Sequence, residues 1–520
     1  MNRLRTFLPR ALRKTAVPSP GSSSEYFDAS PVGNAFRGKI ARGGRTTAVG
    51  QIGTVAISLA SVSVLARLLH PESFGLIAMV SAFSGLLTLM QDFGLSTATI
   101  QRSKITPAQI STVFWCNIAI GIGCWAILTC LTPLISLFYG EPRLIPISLA
   151  IAPFFIVSGM GVQHRALLSR QLNFGALTTV SIASQLAGLV AAIVCATSSL
   201  GYWALVAQVA VTATSSTLLL WIWCPWRPSF PRRNTGVREM LYFGRDMTLA
   251  NYSAYLARNV DNILIGRFWG APVLGVYTRA YALMMFPFSR VFSAAGSVAV
   301  PALSRLQEQP NEFKHVYLTI LQSISAVTMP IVIVMSVYST EIVHVVLGPN
   351  WSNAAPLLCV LALSMYFQPI TSSTGWIYVS LGQGARMLRW SFVWSTAQII
   401  AFAVGVTWGA LGVSIAYAAC VYLIAWPMLA VAYANSPVTV AQALRAVRPC
   451  VVTSLTVAIV ALLARNAFST YDEIYRLGLG LAASVLTWAA LAIYFKDFRG
   501  IVTKTAGAFW RGGSPVRNAR

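Results

Sequence analysis

The feature that most constrains this chain is a series of nearly continuous apolar runs between about residues 47 and 495. A helix needs about 20 mainly apolar residues to cross a bilayer, so these runs predict about fourteen transmembrane helices. Composition agrees, because 56% of the 520 residues are hydrophobic and only 10% are charged. This balance excludes a soluble enzyme, a disordered protein and a small domain held by disulfides. The runs do not alternate every second residue, which also disfavours an outer-membrane barrel.

The cysteines and histidines do not suggest a metal centre. Most of the eight cysteines lie inside apolar runs, where a thiol behaves as a small buried apolar group. The four histidines are far apart in the chain, and no Cys/His spacing resembles a metal site. We therefore expect no metal and no bound cofactor.

The basic charge of the chain predicts its orientation. Lys and Arg total 38 against 14 Asp and Glu, which gives a formal net charge of +24. In a membrane protein this excess indicates cytoplasmic loops and attraction to anionic lipids of the inner leaflet, and we expect no nucleic-acid partner. If the N-terminus is inside, about 29 basic residues fall on the cytoplasmic side and about four on the other. We therefore expect both termini to lie in the cytoplasm.

The order of apolar and basic segments predicts an all-α polytopic protein with two lobes. Residues 17–34 are rich in Ser, Pro and Gly, a composition typical of disorder. The expected segments are a basic, disordered cytoplasmic tail at 1–45, an N-lobe of helices 1 to 6 at 46–224, a basic Pro-rich cytoplasmic linker at 225–240, a C-lobe of helices 7 to 12 at 241–434, two accessory helices at 435–495 and a basic cytoplasmic tail at 496–520.

A weak internal repeat relates the two lobes. The segment 65–75 joins the first two spans and 265–275 joins the seventh and eighth, so the copies lie 200 residues apart. In each copy an arginine, Arg67 or Arg267, precedes a glycine by eight residues. The copies are separated by an even number of spans, so both have the same orientation in the membrane. The sequence thus predicts a parallel repeat, an architecture typical of transporters.

Short motifs in a consistent order resemble the bacterial polysaccharide-transporter family of the MOP flippase superfamily. The motifs are 65–69 with Pro71 and Phe74-Gly75, then Asp92-Phe93-Gly94-Leu95-Ser96, Phe138-Tyr139-Gly140-Glu141-Pro142, 261–267 and 274–280. The resemblance covers about residues 45–435. It implies a flippase of the bacterial inner membrane that moves undecaprenyl-pyrophosphate-linked oligosaccharide repeat units to the periplasmic leaflet for exopolysaccharide or lipopolysaccharide assembly. It also implies alternating access, coupling to protons or sodium ions, and polysaccharide polymerase or export proteins as candidate partners.

Charged residues inside the spans are candidates for the transport site. An ionisable side chain within a span costs about 2.5–3.5 kcal/mol on insertion scales and usually faces a polar cavity. The planar donor fork of arginine suits phosphate, and the resemblance implies that the first two helices of each lobe line a central cavity. The expected pyrophosphate and cavity residues on spans seven and eight are Arg258, Arg290, Arg279, Asn251 and Asn262.

Other charges are candidates for gating or ion coupling, namely Asp92, Asp261, Arg67 and Arg267. Asp92 has a depth equivalent to position 292, so we predict a cytoplasmic gate pair with Arg290. Alternatively, Asp92 is a protonation site or a helix-end residue in contact with water. Arg258 and Asp261 are three residues apart and could simply neutralise each other on one helix. Arg267 and Arg279 could be interfacial side chains whose charges reach water.

Two other functions compete with a flippase. A glycan polymerase or glycosyltransferase needs an extramembrane loop with paired carboxylates or a nucleophile and base. Here the loops are short and Asp472-Glu473 is the only adjacent carboxylate pair, so we expect no enzyme. A small-molecule antiporter of the same superfamily is the other alternative, but an arginine-rich cavity would repel cationic drugs. The sequence leaves open the sugars carried, the coupling ion and the oligomeric state.

Overall fold

A computed structural model describes residues 34–92, 94–102, 105–231, 237–495 and 498–501 of the chain. Within these ranges it does not describe the side chains of 34–49, 52, 92, 237–254, 256 and 257. The described residues form helices joined by short loops, with no strand among them. The predicted all-helical fold class is therefore confirmed.

The N-lobe consists of helices that cross the molecule in alternate directions. They are α1 (Asn34–Leu68), α2 (Pro71–Asp92), α3 (Leu95–Gln101), α4 (Pro107–Tyr139), α5 (Leu144–Ile151), α6 (Phe154–Arg170), α7 (Phe174–Thr197) and α8 (Trp203–Trp223). Two pairs, α2 with α3 and α5 with α6, each make one crossing, over Pro71–Gln101 and Leu144–Arg170. The N-lobe thus contains six crossings if α1 is counted with them.

The C-lobe and the accessory helices follow in the same alternating manner. They are α9 (Val237–Arg305), α10 (Pro310–Val337), α11 (Ser339–Val346), a 3-10 turn (Pro349–Trp351), α12 (Ala354–Ser364), α13 (Gln368–Ser380), α14 (Gly384–Gly405), α15 (Gly409–Ala434), α16 (Val440–Ala467) and α17 (Glu473–Tyr494). Here α12 and α13 form one crossing, Ala354–Ser380.

Helix α9 is a hairpin rather than one straight rod. Its backbone leaves the helical region at Gly270, where φ is 77° and ψ is −179°, and a positive φ favours glycine. The two arms, 237–269 and 271–305, lie side by side. The Tyr277 hydroxyl of the second arm donates to Asp261 Oδ2 of the first arm at 2.7 Å. Gly409, with φ 78°, separates α14 and α15 in a similar way.

The number of crossings agrees with the sequence. Among the described residues, 11 helices are long and apolar enough to cross a membrane, and Gly53–Leu68 is a shorter apolar helix. Two of the 11, Arg258–Arg305 and Gly384–Ala434, each contain a glycine turn and therefore cross twice. Counting α1 and these two hairpins gives the predicted fourteen helices.

The predicted segment boundaries differ from the helix ends. Helix α1 begins at Asn34, inside the expected tail 1–45, and α9 begins at Val237, inside the expected linker 225–240. An apolar run marks only the part of a helix that lies in the membrane, so helices can begin before it. Most of the predicted tails, 1–33 and 502–520, and part of the linker, 232–236, lie outside the described residues.

Loops gather at two ends of the molecule. At the Arg67 end, which contains the loops after α1, α4 and α11, Trp351 Nε1 donates to the Ala66 carbonyl at 2.8 Å. At the opposite Arg227 end, the Trp115 indole donates to the Ser229 carbonyl at 2.9 Å, which fixes the start of the linker to α4.

The internal repeat is visible where the lobes meet. A Cβ atom on Gly75 would lie 1.8 Å from the Ala271 carbonyl oxygen, and one on Gly275 would lie 1.9 Å from the Pro71 carbonyl oxygen. Positions 71 and 271 are repeat equivalents, so the contact is reciprocal, as a two-fold axis between the lobes requires. This contact confirms the predicted parallel repeat and explains why both copies have glycine there.

The accessory helices pack on the C-lobe through buried polar contacts. The Tyr338 hydroxyl donates to the Ala461 carbonyl at 2.8 Å, and the Trp488 indole donates to the Ala326 carbonyl at 3.0 Å. At the Arg67 end, Arg465 Nε donates to Glu341 Oε1 at 2.8 Å, and the Glu341 side chain is buried. A buried carboxylate needs such a partner, so this ion pair fixes the accessory helices to α11.

Candidate functional site

A cavity of about 310 Å³ lies between the two lobes. Helices α1, α2 and α8 of the N-lobe and both arms of α9 line it. The polar side chains of its wall are Ser61, Ser81, Gln208, Tyr255, Asn259, Asn262, Thr278 and Arg279. The first two helices of each lobe therefore contribute, and Arg279 supplies the charge of the wall.

Arg279 is a cation in an apolar and uncharged polar environment. Its guanidinium carbon lies 4.7 Å from the centroid of the Phe74 ring. Its Nε is buried and has no hydrogen-bond partner among the described residues. The ion pairs formed by described side chains involve other arginines and a histidine. A buried donor without a partner can bind an anionic ligand without breaking an existing ion pair.

The rest of the wall consists of amides and hydroxyls. Gln208 Nε2 donates to Ser61 Oγ at 2.8 Å, which joins α8 to α1 beside the cavity. The Tyr255 hydroxyl donates to the Ser81 carbonyl at 3.0 Å, which joins α9 to α2. Sequence reasoning did not select these residues, although Gln208 is a polar residue within an apolar run. Such groups suit a ligand rich in hydroxyls, because each can both donate and accept.

The two predicted cavity arginines other than Arg279 lie elsewhere in this conformation. Arg258 is exposed, and Arg290 is exposed with its guanidinium carbon 5.8 Å from the Phe286 ring. Neither lines the cavity. Of the predicted cavity residues, the structure therefore brings together Arg279 and Asn262. The side chain of Asn251 lies outside the described part of the chain.

Asp261 has partners other than Arg258. Its side chain is only 3% exposed and accepts from the Tyr277 hydroxyl at 2.7 Å and from the Asn262 backbone N–H at 2.8 Å. Within the described residues, Arg258 forms no ion pair with it. In this conformation Arg258 and Asp261 therefore do not neutralise each other as an ion pair. Asp261 instead connects the two arms of the α9 hairpin.

The remaining gating candidates lie near the Arg67 end or outside the described side chains. Arg67 Nη2 donates to the Val345 carbonyl at 2.6 Å, and the Arg267 guanidinium carbon lies 5.9 Å from the Phe138 ring. Both contacts join the two lobes. The side chain of Asp92 is not described, so its pairing with Arg290 stays a prediction.

The loop between α4 and α5 carries an ion cluster at the Arg67 end. Arg143 pairs with Glu141 at 2.7 Å and with Glu72 at 2.5 Å. The hydrogen bond from Arg143 lowers the pKa of Glu141, so this carboxylate is ionised at neutral pH. These charges are at the surface and belong to one lobe, so we do not place them in the transport site.

Comparison with known proteins supports a polysaccharide-related role. Residues 64–356 match the family model described as Polysaccharide biosynthesis protein. The chain is 26% identical to the Teichuronic acid biosynthesis protein TuaB of Bacillus subtilis (strain 168), over 58% of this chain and 63% of that protein, which is less than two thirds of its length. It is also 26% identical to the Lipopolysaccharide biosynthesis protein WzxC of Escherichia coli (strain K12), over 63% of this chain and 68% of that protein. Identity to the Succinoglycan biosynthesis transport protein ExoT of Rhizobium meliloti (strain 1021) is 25%, over 69% of this chain and 73% of that protein.

Solved structures show the same fold. The inward closed conformation of the Lipid II flippase MurJ aligns with a TM-score of 0.70 at 14% identity, over 87% of this chain and 99% of that chain. An inward-facing multidrug resistance MATE family transporter of the MOP superfamily aligns with a TM-score of 0.59 at 14% identity, over 74% of this chain and 94% of that chain. At this identity the likeness concerns the fold alone.

Proposed function

Because the chain belongs to the polysaccharide biosynthesis protein family, we propose that it is a flippase for undecaprenyl-pyrophosphate-linked oligosaccharide repeat units. It moves them from the cytoplasmic to the periplasmic leaflet for exopolysaccharide or lipopolysaccharide assembly. The observation that carries this proposal is the cavity between the lobes, where the buried Nε of Arg279 lacks a partner. The names of the relatives, which include a transport protein, and the fold shared with MurJ support it.

The wall of the cavity suits the two chemical parts of this substrate. Arg279 offers a planar fork to the pyrophosphate. Asn262, Gln208 and the neighbouring hydroxyls offer hydrogen bonds to sugars. A volume of about 310 Å³ is near the lower limit for ligand pockets, which run from about 300 to 1,000 Å³. A repeat unit of several sugars therefore requires the lobes to separate, as alternating access provides.

The orientation follows from the positive-inside rule. Arg102, Arg165, Arg227, Arg305 and Arg386 lie at or near the Arg227 end. We place this end in the cytoplasm of a bacterial cell, with the protein in the inner membrane and both termini cytoplasmic. The same basic surface attracts anionic lipids of the inner leaflet. The Arg67 end then faces the periplasm, where a polysaccharide polymerase or export protein would receive the product.

Ion coupling is assigned to Asp261. A carboxylate that is 3% exposed within a span is costly, and such residues commonly carry protons or ions in transporters. Its bond to Tyr277 joins the two arms of α9, and the second arm also carries Arg279. Binding of a proton or sodium ion at Asp261 would therefore act on the helix hairpin that positions the cavity cation.

The decisive experiment removes the cavity cation. We expect Arg279→Ala to lower glycan export roughly 10- to 100-fold at normal membrane levels, since a charged hydrogen bond contributes about 1.5–3 kcal/mol. Arg279→Lys should rescue export only partly, because lysine lacks the fork. The readout is accumulation of lipid-linked oligosaccharide in a strain whose own copy is deleted.

Arg305→Ala is the matched control. Arg305 is an exposed arginine on the same arm of α9 and does not line the cavity, so its loss should leave export unchanged. Export at the wild-type rate by Arg279→Ala would show that the cavity is not the pyrophosphate site.

A further inference from the structure

The cavity cation contacts an aromatic ring of the opposite lobe. Arg279 belongs to the C-lobe, whereas Phe74, whose ring lies 4.7 Å from its guanidinium carbon, belongs to α2 of the N-lobe. Phe74 is 4% exposed, so this contact is shielded from water. A cation over a shielded aromatic face is attracted more strongly than at an exposed site. Arg279 Nε has no hydrogen-bond partner among the described residues, and the Phe74 ring packs against the guanidinium.

Phe74 is in turn held by a residue of the C-lobe. The Trp351 ring meets it edge to face, with 5.3 Å between ring centroids and an interplanar angle of 69°. Trp351 is fully buried, and its Nε1 donates to the Ala66 carbonyl in the last turn of α1. Carbonyls at a helix C-terminus lack an intrahelical partner, so the indole caps α1 from the other lobe.

A second cap runs in the reverse direction. Arg67, at the end of α1, donates to the Val345 carbonyl in the last turn of α11 at 2.6 Å. A cation at a helix C-terminus is favourable because it faces the negative end of the helix dipole. Each lobe therefore caps a helix of the other, and separation of the lobes at the Arg67 end breaks both caps.

We propose that Phe74 and Trp351 are positioning residues for Arg279, and that they make pyrophosphate affinity depend on closure of the Arg67 end. This inference rests on the proposed function of the cavity. When the Arg67 end opens, Trp351 leaves both Ala66 and Phe74, and Arg279 loses the ring that orients it. The anion is then held less tightly and leaves on that side. By linkage, a bound anion favours the closed Arg67 end to the same extent.

The first test measures binding of farnesyl pyrophosphate to the purified full chain in detergent by calorimetry. Phe74→Leu should weaken binding about 3- to 10-fold, and Phe74→Tyr, which keeps the ring, should restore it. Phe313→Leu is the control, because Phe313 is a fully buried ring in a different core cluster of the C-lobe. Wild-type affinity in Phe74→Leu, or no recovery in Phe74→Tyr, would overturn the inference.

A double-mutant cycle separates this inference from the proposed function. Arg279→Gln should weaken binding strongly, and adding Phe74→Leu to it should have no further effect, since the ring acts through the arginine. Additive losses would mean that Phe74 acts independently of Arg279, which rejects the positioning role but keeps the cavity as the site. Unchanged affinity in Arg279→Gln alone would reject the proposed function itself.

The second test measures the Arg67 end directly. His70 and Asn350 are exposed there, on the N-lobe and C-lobe respectively. Spin labels on His70→Cys and Asn350→Cys, in a background where the eight native cysteines are replaced by alanine, report the distance between the lobes. Farnesyl pyrophosphate should shift the distribution toward shorter distances, and Trp351→Phe, which lacks the indole donor, should reduce that shift. An equal shift with and without Trp351→Phe would contradict the proposed dependence of anion binding on closure of the Arg67 end.

Discussion

At the residue scale, the cavity contains one of several arginines that are alike in sequence. Arg258, Arg279 and Arg290 all lie on predicted spans, and the sequence cannot rank them by environment. Packing separates them, because Arg279 faces the other lobe while Arg258 and Arg290 are exposed. Helical periodicity places residues on a face of a helix, but the neighbour of that face is a tertiary property.

Asp261 provides a prediction at this scale. Asp261→Asn keeps an oxygen that can accept from the Tyr277 hydroxyl, so we expect normal membrane levels. The amide does not ionise, so transport should lose its response to an imposed gradient of the coupling ion. Translocation in proteoliposomes with proton or sodium gradients measures this response. Asp472→Asn is the control, because Asp472 is exposed beside α17, and it should respond to the gradient as wild type does. A normal response of Asp261→Asn would exclude Asp261 as the coupling residue.

At the scale of helices, the reciprocal glycine contact governs how the lobes approach each other. Gly75 and Gly275 allow the backbones of α2 and α9 to touch at the Arg67 end. Phe74 directly precedes Gly75 in α2, and Arg279 lies about one turn after Gly275 in α9. In the proposed mechanism, closure of this end and orientation of the cavity cation therefore involve the same two helices, α2 and α9.

We expect Gly75→Ala and Gly275→Ala to prevent full closure. A Cβ atom would lie 1.8 or 1.9 Å from a backbone carbonyl oxygen, and backbone cannot move aside as a flexible side chain can. Such overpacking typically costs about 1–3 kcal/mol. Distances between spin labels on His70→Cys and Asn350→Cys should lengthen, and thermal stability in detergent should fall.

Gly123→Ala serves as the control for these glycine variants. A Cβ on Gly123 would meet nothing within 4 Å. The distances between the two spin labels in Gly123→Ala should therefore equal those of wild type. If Gly75→Ala gives the same distances and stability as Gly123→Ala, the close contact between lobes does not determine closure.

At the scale of the whole molecule, the two ends differ in both charge and contacts. The Arg227 end carries most of the basic loop residues, whereas the Arg67 end carries the caps between the lobes. A flippase that loads in the cytoplasm and releases outside requires these ends to open alternately. In the structure the two lobes touch each other at the Arg67 end. This arrangement agrees with loading of the substrate from the Arg227 end.

Reporter fusions test this orientation. Fusions after Gly140, Gly201, Trp269, Pro349, Trp408 and Thr470 should report the periplasm. Fusions after Arg102, Leu172, Ser229, Gln309, Gly382 and Pro437 should report the cytoplasm. The reason is the excess of basic residues in the second set of loops. Two consecutive sites on the same side would contradict both the fourteen crossings and the proposed orientation.

The sequence by itself determined the helical class, the crossings and the parallel repeat. Those properties are local or periodic, because apolar length and spacing between repeats can be read along one chain. Only the tertiary structure decided that Arg279 lies in the cavity, that Phe74 of the other lobe contacts it and that Gln208 joins Ser61. Each of these contacts joins residues far apart in sequence, and the partners depend on how helices pack within and between the lobes, which no local pattern encodes.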